Sequence, residues 1–267
     1  MEDDYNHVSE ELVYCLTNVP GPGLVGGIPA DIGGCSCTTN CSFGCPHLAA
    51  SPNYTPDGLL AEGAGTKLPI YECNGECTCE PSRCTNRVAQ WGPLPCLQVI
   101  ELGSKGYGLV TKRDLVQGQF ICEYAGEVLG TEVARARALR QTAAGKANYI
   151  LVLREHSGGV EVSRTIVDPT VVGNIGRYLN HSCSPNLTML PIRVDSTVPR
   201  LALFASRDIL EGEELCFDYG SPEGRAEDGG EVQKEVEDKN GPPRCACNCG
   251  AVNCRGLLPY DPELLSC

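Results

Sequence analysis

The 18 cysteines among the 267 residues of this chain constrain its structure more than any other feature. Most of them lie at tight spacing in two clusters, a density that small secreted domains use for disulfides. The N-terminal sequence MEDDYNHVSE has neither the basic nor the apolar region of a secretory signal, so we expect an intracellular protein. In that setting, closely spaced cysteines indicate bound zinc.

The first cysteine cluster spans residues 35–84 and offers nine ligand side chains. Nine ligands do not divide into sets of four, but three zinc ions are each four-coordinate if three thiolates bridge two metals. An imidazole offers one nitrogen lone pair, so a histidine in this set is restricted to a terminal position. The predicted ligands are Cys35, Cys37, Cys41, Cys45, His47, Cys73, Cys77, Cys79 and Cys84.

The second cysteine cluster consists of Cys247, Cys249 and Cys254, which is one ligand short of a zinc site. The spacing leaves three candidates for the fourth ligand, which are Cys183, Cys245 and Cys267. We interpret the isolated cysteines as small buried apolar side chains; they are Cys15, Cys96, Cys122 and Cys216.

The charge balance is acidic, with 34 Asp and Glu against 21 Lys and Arg and a formal net charge of −13. Much of the excess lies in residues 1–14 and in the Gly-, Pro- and acid-rich stretch 222–243, which we read as a flexible insertion. Nucleic-acid binding needs clustered Lys and Arg, so strong direct binding is not expected. The balance favours a basic peptide or a cationic small molecule as partner.

Residues 12–30 are uncharged and about long enough to span a bilayer, but they contain seven Gly or Pro residues and are expected to form a loop, so no membrane association is predicted. Short β-branched or aromatic runs between residues 96 and 220 predict a mainly β domain. These runs are Leu97–Leu102, Tyr107–Thr111, Gln119–Tyr124, Asn148–Leu153 and Leu201–Ala205.

One helix is expected at Glu132–Gln141, with Thr131 as its N-cap. We interpret the three arginines on this helix as a solvated face; they are Arg135, Arg137 and Arg140.

Two segments form a specific pattern, RYLNHSCSPN at 177–186 and ELCFDYG at 214–220. With KGYG at 105–108 and EYAGEV at 123–128, they resemble the motifs of SET-domain protein lysine methyltransferases. The flanking cysteine clusters resemble the pre-SET and post-SET modules of the suppressor-of-variegation branch of that family.

The resemblance implies a mainly β, β-clip SET fold with small sheets, few helices and a pseudoknot, in which segment 177–186 is threaded by the chain near residues 216–220. It implies the following division of the chain: an N-terminal segment at 1–30, a pre-SET module at 31–95, a SET domain at 96–221, the acidic insertion at 222–243 and a post-SET module at 244–267.

The resemblance also implies an S-adenosylmethionine-dependent histone-lysine N-methyltransferase that acts on a histone H3 tail or nucleosome and is located on chromosomes in the nucleus. We expect the protein to be a monomer. Tyr219 would be the catalytic tyrosine, Tyr124 would line the lysine channel, and Phe217 would tune the number of methyl groups added. The implied donor contacts are Lys105, Gly106, Tyr107, Tyr149, Arg177, Asn180 and His181.

For the metals, the resemblance implies three zinc ions in the pre-SET module, with Cys35, Cys41 and Cys73 as the bridging thiolates. It implies one zinc ion in the post-SET module, where Cys183 completes the second cysteine cluster.

The chain departs from the family pattern at three points. His47 stands where the family has a fifth pre-SET cysteine, and the alternative to a zinc ligand there is a surface histidine. The spacings before Cys45 and Cys84 differ by one residue from the commoner pattern, and Tyr107 stands where relatives usually have Trp. The alternative function is a non-catalytic, zinc-stabilised chromatin-binding module. Loss of Tyr219, Asn180 or His181 would have favoured it, but all three are present.

Overall fold

The computed structural model describes residues 5, 7–8, 11–41, 44–48, 51–64, 69–220, 245–259, 261 and 263–264. The acidic insertion at 222–243 and Cys267 lie outside these described residues. Among the residues that are described, no helix combines the length and the apolar character needed to cross a membrane.

The described residues form short strands and one α-helix. The strands before the helix are β1 (Val13–Tyr14), β2 (Val19–Pro20), β3 (Ile70–Tyr71), β4 (Leu97–Glu101), β5 (Tyr107–Thr111), β6 (Phe120–Glu123) and β7 (Gly126–Val128). The helix α1 (Thr131–Ala143) is followed by β8 (Leu151–Ser157), β9 (Val160–Gly173), β10 (Asn180–His181), β11 (Leu187–Arg193), β12 (Arg200–Ala205) and β13 (Glu214–Phe217).

The strands form three small sheets. One has the order β1-β9-β7-β2, with β8 also paired to β9; the second has the order β10-β13-β5-β4; the third has the order β3-β11-β12-β6. Apolar side chains from all three sheets are fully buried in one core, including Leu109, Val167, Leu203 and Phe217. The expected mainly β architecture is confirmed.

The two-stranded parallel pair β10–β13 brings distant parts of the chain together. Asn180 lies opposite Cys216 and His181 lies opposite Phe217 in this pair. Parallel strands cannot be joined by a tight turn, so the chain runs through β11 and β12 before it returns beside β10. The threaded segment, residues 177–186, therefore lies directly against the chain near residue 216.

The longest strand, β9, has no counterpart among the predicted strands. Its sequence VEVSRTIVDPTVVG contains Ser, Arg, Asp and Pro, so it lacks a sustained alternation of apolar and polar residues. The predicted strand at Asn148–Leu153 is found as β8, shifted to Leu151–Ser157. The two strands stabilise each other by antiparallel pairing over seven residue pairs.

Two expectations for the helix are wrong. Thr131 is the first helical residue, and the N-cap is Gly130, which makes no side-chain capping bond. Arg137 does not belong to a solvated face, because its guanidinium lies 2.7 Å from a Glu127 carboxylate oxygen and 2.8 Å from one of Asp168. The Asp168 side chain is fully buried, so this pair fixes α1 to strands β7 and β9.

Candidate active site and metal centres

Tyr219 follows β13 and makes both of its polar contacts with the threaded segment. Its backbone N–H donates to His181 Nδ1 at 3.2 Å, and its hydroxyl donates to the Leu179 carbonyl at 2.7 Å. Burial raises the pKa of the Tyr219 phenol above its ordinary value, so the hydroxyl stays protonated at neutral pH.

Tyr124 and Phe217 lie beside Tyr219 in one aromatic group. The Phe217 ring centroid is 4.8 Å from that of Tyr219 and 5.9 Å from that of Tyr124. The Tyr124 hydroxyl donates to the Tyr149 carbonyl at 2.6 Å, and burial raises the pKa of this phenol too. The structure thus brings together the three side chains that the sequence nominates for catalysis.

Two glycines shape the backbone where the resemblance puts the donor contacts. Gly106 has a φ of +75°, a conformation that side chains disfavour. A Cβ at Gly108 would lie 2.2 Å from Leu102 Cδ1 and 3.0 Å from Asn180 Nδ2. The second glycine is therefore required for the close approach of β5 to the threaded segment.

Glu214 connects two of the predicted donor contacts and was not singled out by the sequence. Its carboxylate lies 2.5 Å from Lys105 Nζ and accepts a 2.9 Å hydrogen bond from Asn180 Nδ2. Asn180 Nδ2 also donates to the Tyr107 carbonyl at 3.1 Å. Glu214 is the first residue of the ELCFDYG motif, so its position gave a reason to consider it. An acidic residue at the start of a strand is, however, most simply a solvent-exposed side chain.

Arg177 is buried and carries unpaired hydrogen-bond donors. Its guanidinium carbon lies 4.6 Å from the Tyr149 ring centroid, and its Nε and Nη1 have no hydrogen-bond partner. Leaving buried donors unpaired costs about 1–3 kcal/mol per group. S-adenosylmethionine carries a carboxylate and other acceptors, so this site fits a ligand of that kind.

His181 is buried and accepts at Nδ1, so its proton is on Nε2, which faces Cys183 Sγ at 3.4 Å. Burial lowers the pKa of His181 to about 4, although the nearby Asp218 carboxylate opposes this shift. The imidazole is therefore neutral and acts as a hydrogen-bonding support for Tyr219.

The second cysteine cluster gains its fourth ligand from the threaded segment. The sulfur atoms of Cys183, Cys247, Cys249 and Cys254 lie within 4.8 Å of one another. Cys183 Sγ is 3.9 Å from Cys247 Sγ, close to the separation of about 3.8 Å expected for two thiolates on tetrahedral zinc. Of the other candidates, Cys245 is exposed and is not part of this group.

The first cysteine cluster contains three overlapping sets of four ligand atoms. Cys35 occurs in all three sets, and Cys41 and Cys73 each occur in two, as does Cys45. Cys41 Sγ lies 3.6 Å from Cys35 Sγ, 3.1 Å from Cys73 Sγ and 3.6 Å from Cys84 Sγ. Shared thiolates of this kind suit zinc ions that are bridged by sulfur.

His47 is buried within the first cysteine cluster, with 6% of its surface exposed, and is not a surface histidine. Its Nε2 lies 3.0 Å from the Gly33 carbonyl, which only accepts, so Nε2 carries the proton. The lone pair on Nδ1 then faces Cys77 Sγ at 3.6 Å. A nitrogen and a sulfur on one tetrahedral zinc ion are about 3.5 Å apart, so the geometry suits a terminal ligand.

Comparison with known families matches two models, the SET domain over residues 106–220 and the Pre-SET motif over residues 2–87. Among curated proteins, histone-lysine N-methyltransferase SETMAR of Rattus norvegicus is 44% identical over 264 residues, which is 94% of this chain and 80% of that protein.

Solved structures give the same result. The methyltransferase domain of human SETMAR matches with a TM-score of 0.80 and 37% identity, over 98% of this chain and 93% of that one. Arabidopsis thaliana SUVH6 in complex with SAM matches with a TM-score of 0.71 and 28% identity, over 96% of this chain and 51% of the SUVH6 chain. KRYPTONITE in complex with DNA, an H3(1-15) peptide and SAH matches with a TM-score of 0.69 and 25% identity, over 96% and 49%.

The similar structures that contain SAM or SAH and the unpaired donors of Arg177 support S-adenosylmethionine as a cofactor, and the geometry of the two cysteine clusters supports zinc. With its 44% identical relative matched over most of both chains, this protein belongs to the SET-domain family of histone-lysine N-methyltransferases that carry a pre-SET zinc module.

Proposed function

We propose that this enzyme transfers a methyl group from S-adenosylmethionine to the ε-amine of a lysine in the histone H3 tail, on chromatin in the nucleus. The observation that carries the proposal is the aromatic group of Tyr124, Phe217 and Tyr219, connected through His181 to the predicted donor contacts. The H3 peptide in the similar KRYPTONITE structure supports the choice of substrate.

The reaction requires a neutral amine. A free lysine has a pKa about three units above neutral pH, so its deprotonation costs roughly 4 kcal/mol. An aromatic channel with few water molecules disfavours the ammonium form and lowers this cost. The burial of Tyr124 and Phe217 provides such surroundings.

The two phenols are oriented as acceptors. The Tyr219 hydroxyl donates its proton to the Leu179 carbonyl, and the Tyr124 hydroxyl donates its proton to the Tyr149 carbonyl. The lone pairs of both oxygens are left to accept from the amine N–H groups and thereby aim the nitrogen lone pair in line with the methyl group. S-adenosylmethionine supplies that methyl group on a positively charged sulfur.

The experiment is transfer of a labelled methyl group to histone H3 by the wild-type enzyme and by Tyr219→Phe. We expect the variant to bind the donor but to lose about 100-fold or more in kcat, because it loses the oxygen at the reacting centre. Tyr71→Phe, on β3, is the matched control and should retain the wild-type rate.

A wild-type rate for Tyr219→Phe would remove Tyr219 from the mechanism. Binding of the H3 peptide without any methyl transfer by the wild-type protein would favour the alternative function, a non-catalytic chromatin-binding module.

A further inference from the structure

The last described residues, Asp261, Glu263 and Leu264, return to the body of the protein, and we call them the C-terminal latch. Leu264 is 2% exposed. It packs against a cluster from α1 and the neighbouring strands, namely Leu129, Ala134, Ala138 and Ile166. The latch thus covers the buried face of α1.

The latch also binds two facing arginines. Arg154 on β8 and Arg164 on β9 lie directly opposite each other, an arrangement in which like charges repel. Arg154 Nη1 lies 2.8 Å from Asp261 Oδ2, and Arg164 forms an ion pair with Glu263. The Arg154–Asp261 pair is shielded from much of the solvent, with side chains 19% and 17% exposed. The Glu263 side chain is 49% exposed, so its pair with Arg164 is more strongly screened by water.

The hairpin alone does not balance these charges. Glu161 reaches both arginines, at 3.4 Å from Arg154 and 2.7 Å from Arg164, and gives one negative charge against two positive ones. The latch supplies the remaining carboxylates. Burial opposes the charge on Asp261. The hydrogen bonds from Arg154 and from the backbone N–H groups of Glu263 and Leu264, together with the positive charge of Arg154, outweigh burial and lower the pKa of Asp261.

The segment before the latch is hydrogen-bonded to the second cysteine cluster. The backbone N–H of Leu258 donates to the Cys245 carbonyl at 2.8 Å, and that of Cys247 donates to the Gly256 carbonyl at 2.9 Å. Residues 245–259, the described part of the post-SET module that precedes the latch, are therefore held together by backbone hydrogen bonds up to Leu258, three residues before the latch begins.

Arg255 holds the same module at the active site. Its Nη2 donates to Asp218 Oδ1 at 2.8 Å, and its backbone N–H lies 3.4 Å from Cys183 Sγ. Asp218 directly precedes Tyr219. The post-SET module thus touches the active site through Arg255 and is anchored on the far side by the latch.

We infer that the C-terminal latch is a positioning element that docks the post-SET module on α1 and on the β8–β9 hairpin, and so keeps Arg255 and the zinc ligands beside Tyr219. The effect on catalysis rests on the proposed function, whereas the docking itself does not.

The test compares Leu264→Ser and Asp261→Asn with the wild-type protein. Leu264→Met is included as a conservative variant that should keep the apolar packing of residue 264 against α1. We expect amide hydrogen exchange in residues 245–259 to accelerate about tenfold in the first two variants. A coloured zinc chelator should extract one of four zinc equivalents about tenfold faster, and the other three at the wild-type rate. Arg255 Nη2 also lies 3.4 Å from Nε2 of His181, a predicted donor contact, so the KM for S-adenosylmethionine should rise about tenfold. Tyr219 keeps its own hydrogen bonds to His181 and Leu179, so kcat should change less than twofold.

Arg207→Ala is the matched control, because it breaks an exposed ion pair with Glu213 on another surface. Wild-type exchange and zinc release in Leu264→Ser and Asp261→Asn would overturn the latch, even if methyl transfer fell. Accelerated exchange in a protein that transfers no methyl group would leave the latch standing and would refute the proposed function instead.

Discussion

The two cysteine clusters use the same ligand chemistry but occupy different places in the chain. The first takes all of its candidate ligands from residues 35–84, and most of them are buried, with Cys73 at 0% and Cys79 at 1% exposure. The second contributes three half-exposed cysteines and takes its fourth ligand, Cys183, from 64 residues earlier in the chain. The first cluster is self-contained, whereas the second joins the end of the chain to the catalytic segment.

This difference indicates different tasks for the metal. The described residues between 35 and 84 have little regular structure, and their local core consists of cysteines and Leu48. Zinc there takes the place of a hydrophobic core, since metal binding supplies folding free energy. Zinc in the second cluster instead holds a small module against Tyr219 through Cys183 and Arg255.

The largest expected effect comes from removing one sulfur from each cluster. Cys73→Ser, at a bridging position, should cost more than one zinc ion and unfold the N-terminal part, because binding of structural zinc is worth about 10–16 kcal/mol. Cys183→Ser should lose one zinc ion of about four, keep its fold and lose most activity. Elemental analysis with circular dichroism measures both outcomes.

Cys122→Ser is the control, because this cysteine is buried in the apolar core and lies in no ligand group. About one zinc ion per wild-type chain, or equal losses in the two cluster variants, would remove the distinction between the clusters.

A smaller effect is expected at His47, the imidazole in an otherwise sulfur-rich cluster. His47→Ala should lose one zinc ion and lower the Tm, whereas His47→Cys should keep three ions in the cluster because thiolate is an equally good terminal ligand. Cobalt substitution gives a spectroscopic readout, since His47→Cys should strengthen the thiolate-to-metal absorption. Unchanged zinc content in His47→Ala would show that His47 is not a ligand.

The response to pH separates the metal clusters from the SET core. Burial raises the pKa of Glu123 from 4.5 to about 7, even though Thr17 and Asn18 donate to its carboxylate. The folded state therefore binds the extra proton, and this contribution is full below pH 4.5 and is lost as the pH rises through 7. The cysteine clusters behave oppositely, since protons compete with zinc for thiolates at low pH.

Between pH 5 and 8, the free energy of unfolding of the wild-type protein should fall by about 3 kcal/mol because Glu123 loses its proton. Glu123→Gln should not show this fall. Denaturant unfolding at a fixed concentration of zinc measures both proteins. Glu101→Gln, at an exposed position on β4, should leave the pH profile unchanged. A Glu123→Gln profile as steep as that of the wild-type protein would assign the loss to other groups.

The smallest change in stability is expected from Phe217→Tyr. This substitution tests the catalytic centre alone, because Phe217 is not a metal ligand. Because Phe217 donates no hydrogen bond, we expect a methylated amine to rotate and present its lone pair again, which gives at least dimethyllysine from the wild-type enzyme. An added hydroxyl should hold a water molecule or the amine and shift the product toward monomethyllysine. Mass spectrometry of an H3 peptide measures this, and an unchanged distribution in a folded variant would contradict it.

The sequence was sufficient for the parts of the fold whose signals are local. The β-branched and aromatic run at Tyr107–Thr111 predicted both ends of β5 correctly. Tight cysteine spacing predicted both cysteine clusters. Non-local pairing was not predictable in this way: β9 lacks an alternating pattern and depends on β7 and β8 for its hydrogen bonds. Arg137 on an isolated helix gave no sign that Glu127 and Asp168 would meet it.

For the candidate site, the sequence predicted most of the residues involved but not the contacts between them. Spacing left three candidates for the fourth ligand of the second cluster, and only the resemblance, and then the fold, selected Cys183. Glu214 was overlooked because its role depends on Lys105 and Asn180 approaching from two other elements. The hydrogen bonds that orient Tyr124 and Tyr219 go to backbone carbonyls, which no side-chain motif records.

The parallel pairing of β10 with β13 has a consequence for the order in which a ribosome completes this enzyme. The nine predicted ligands of the first cluster have all been synthesised by residue 84, long before residue 217 can pair with residue 181. At about 5–20 residues per second, Cys254, the last ligand of the second cluster, follows residue 217 by roughly 2–7 seconds. The nascent chain thus completes its first metal cluster early, and its catalytic centre is among the last parts to form.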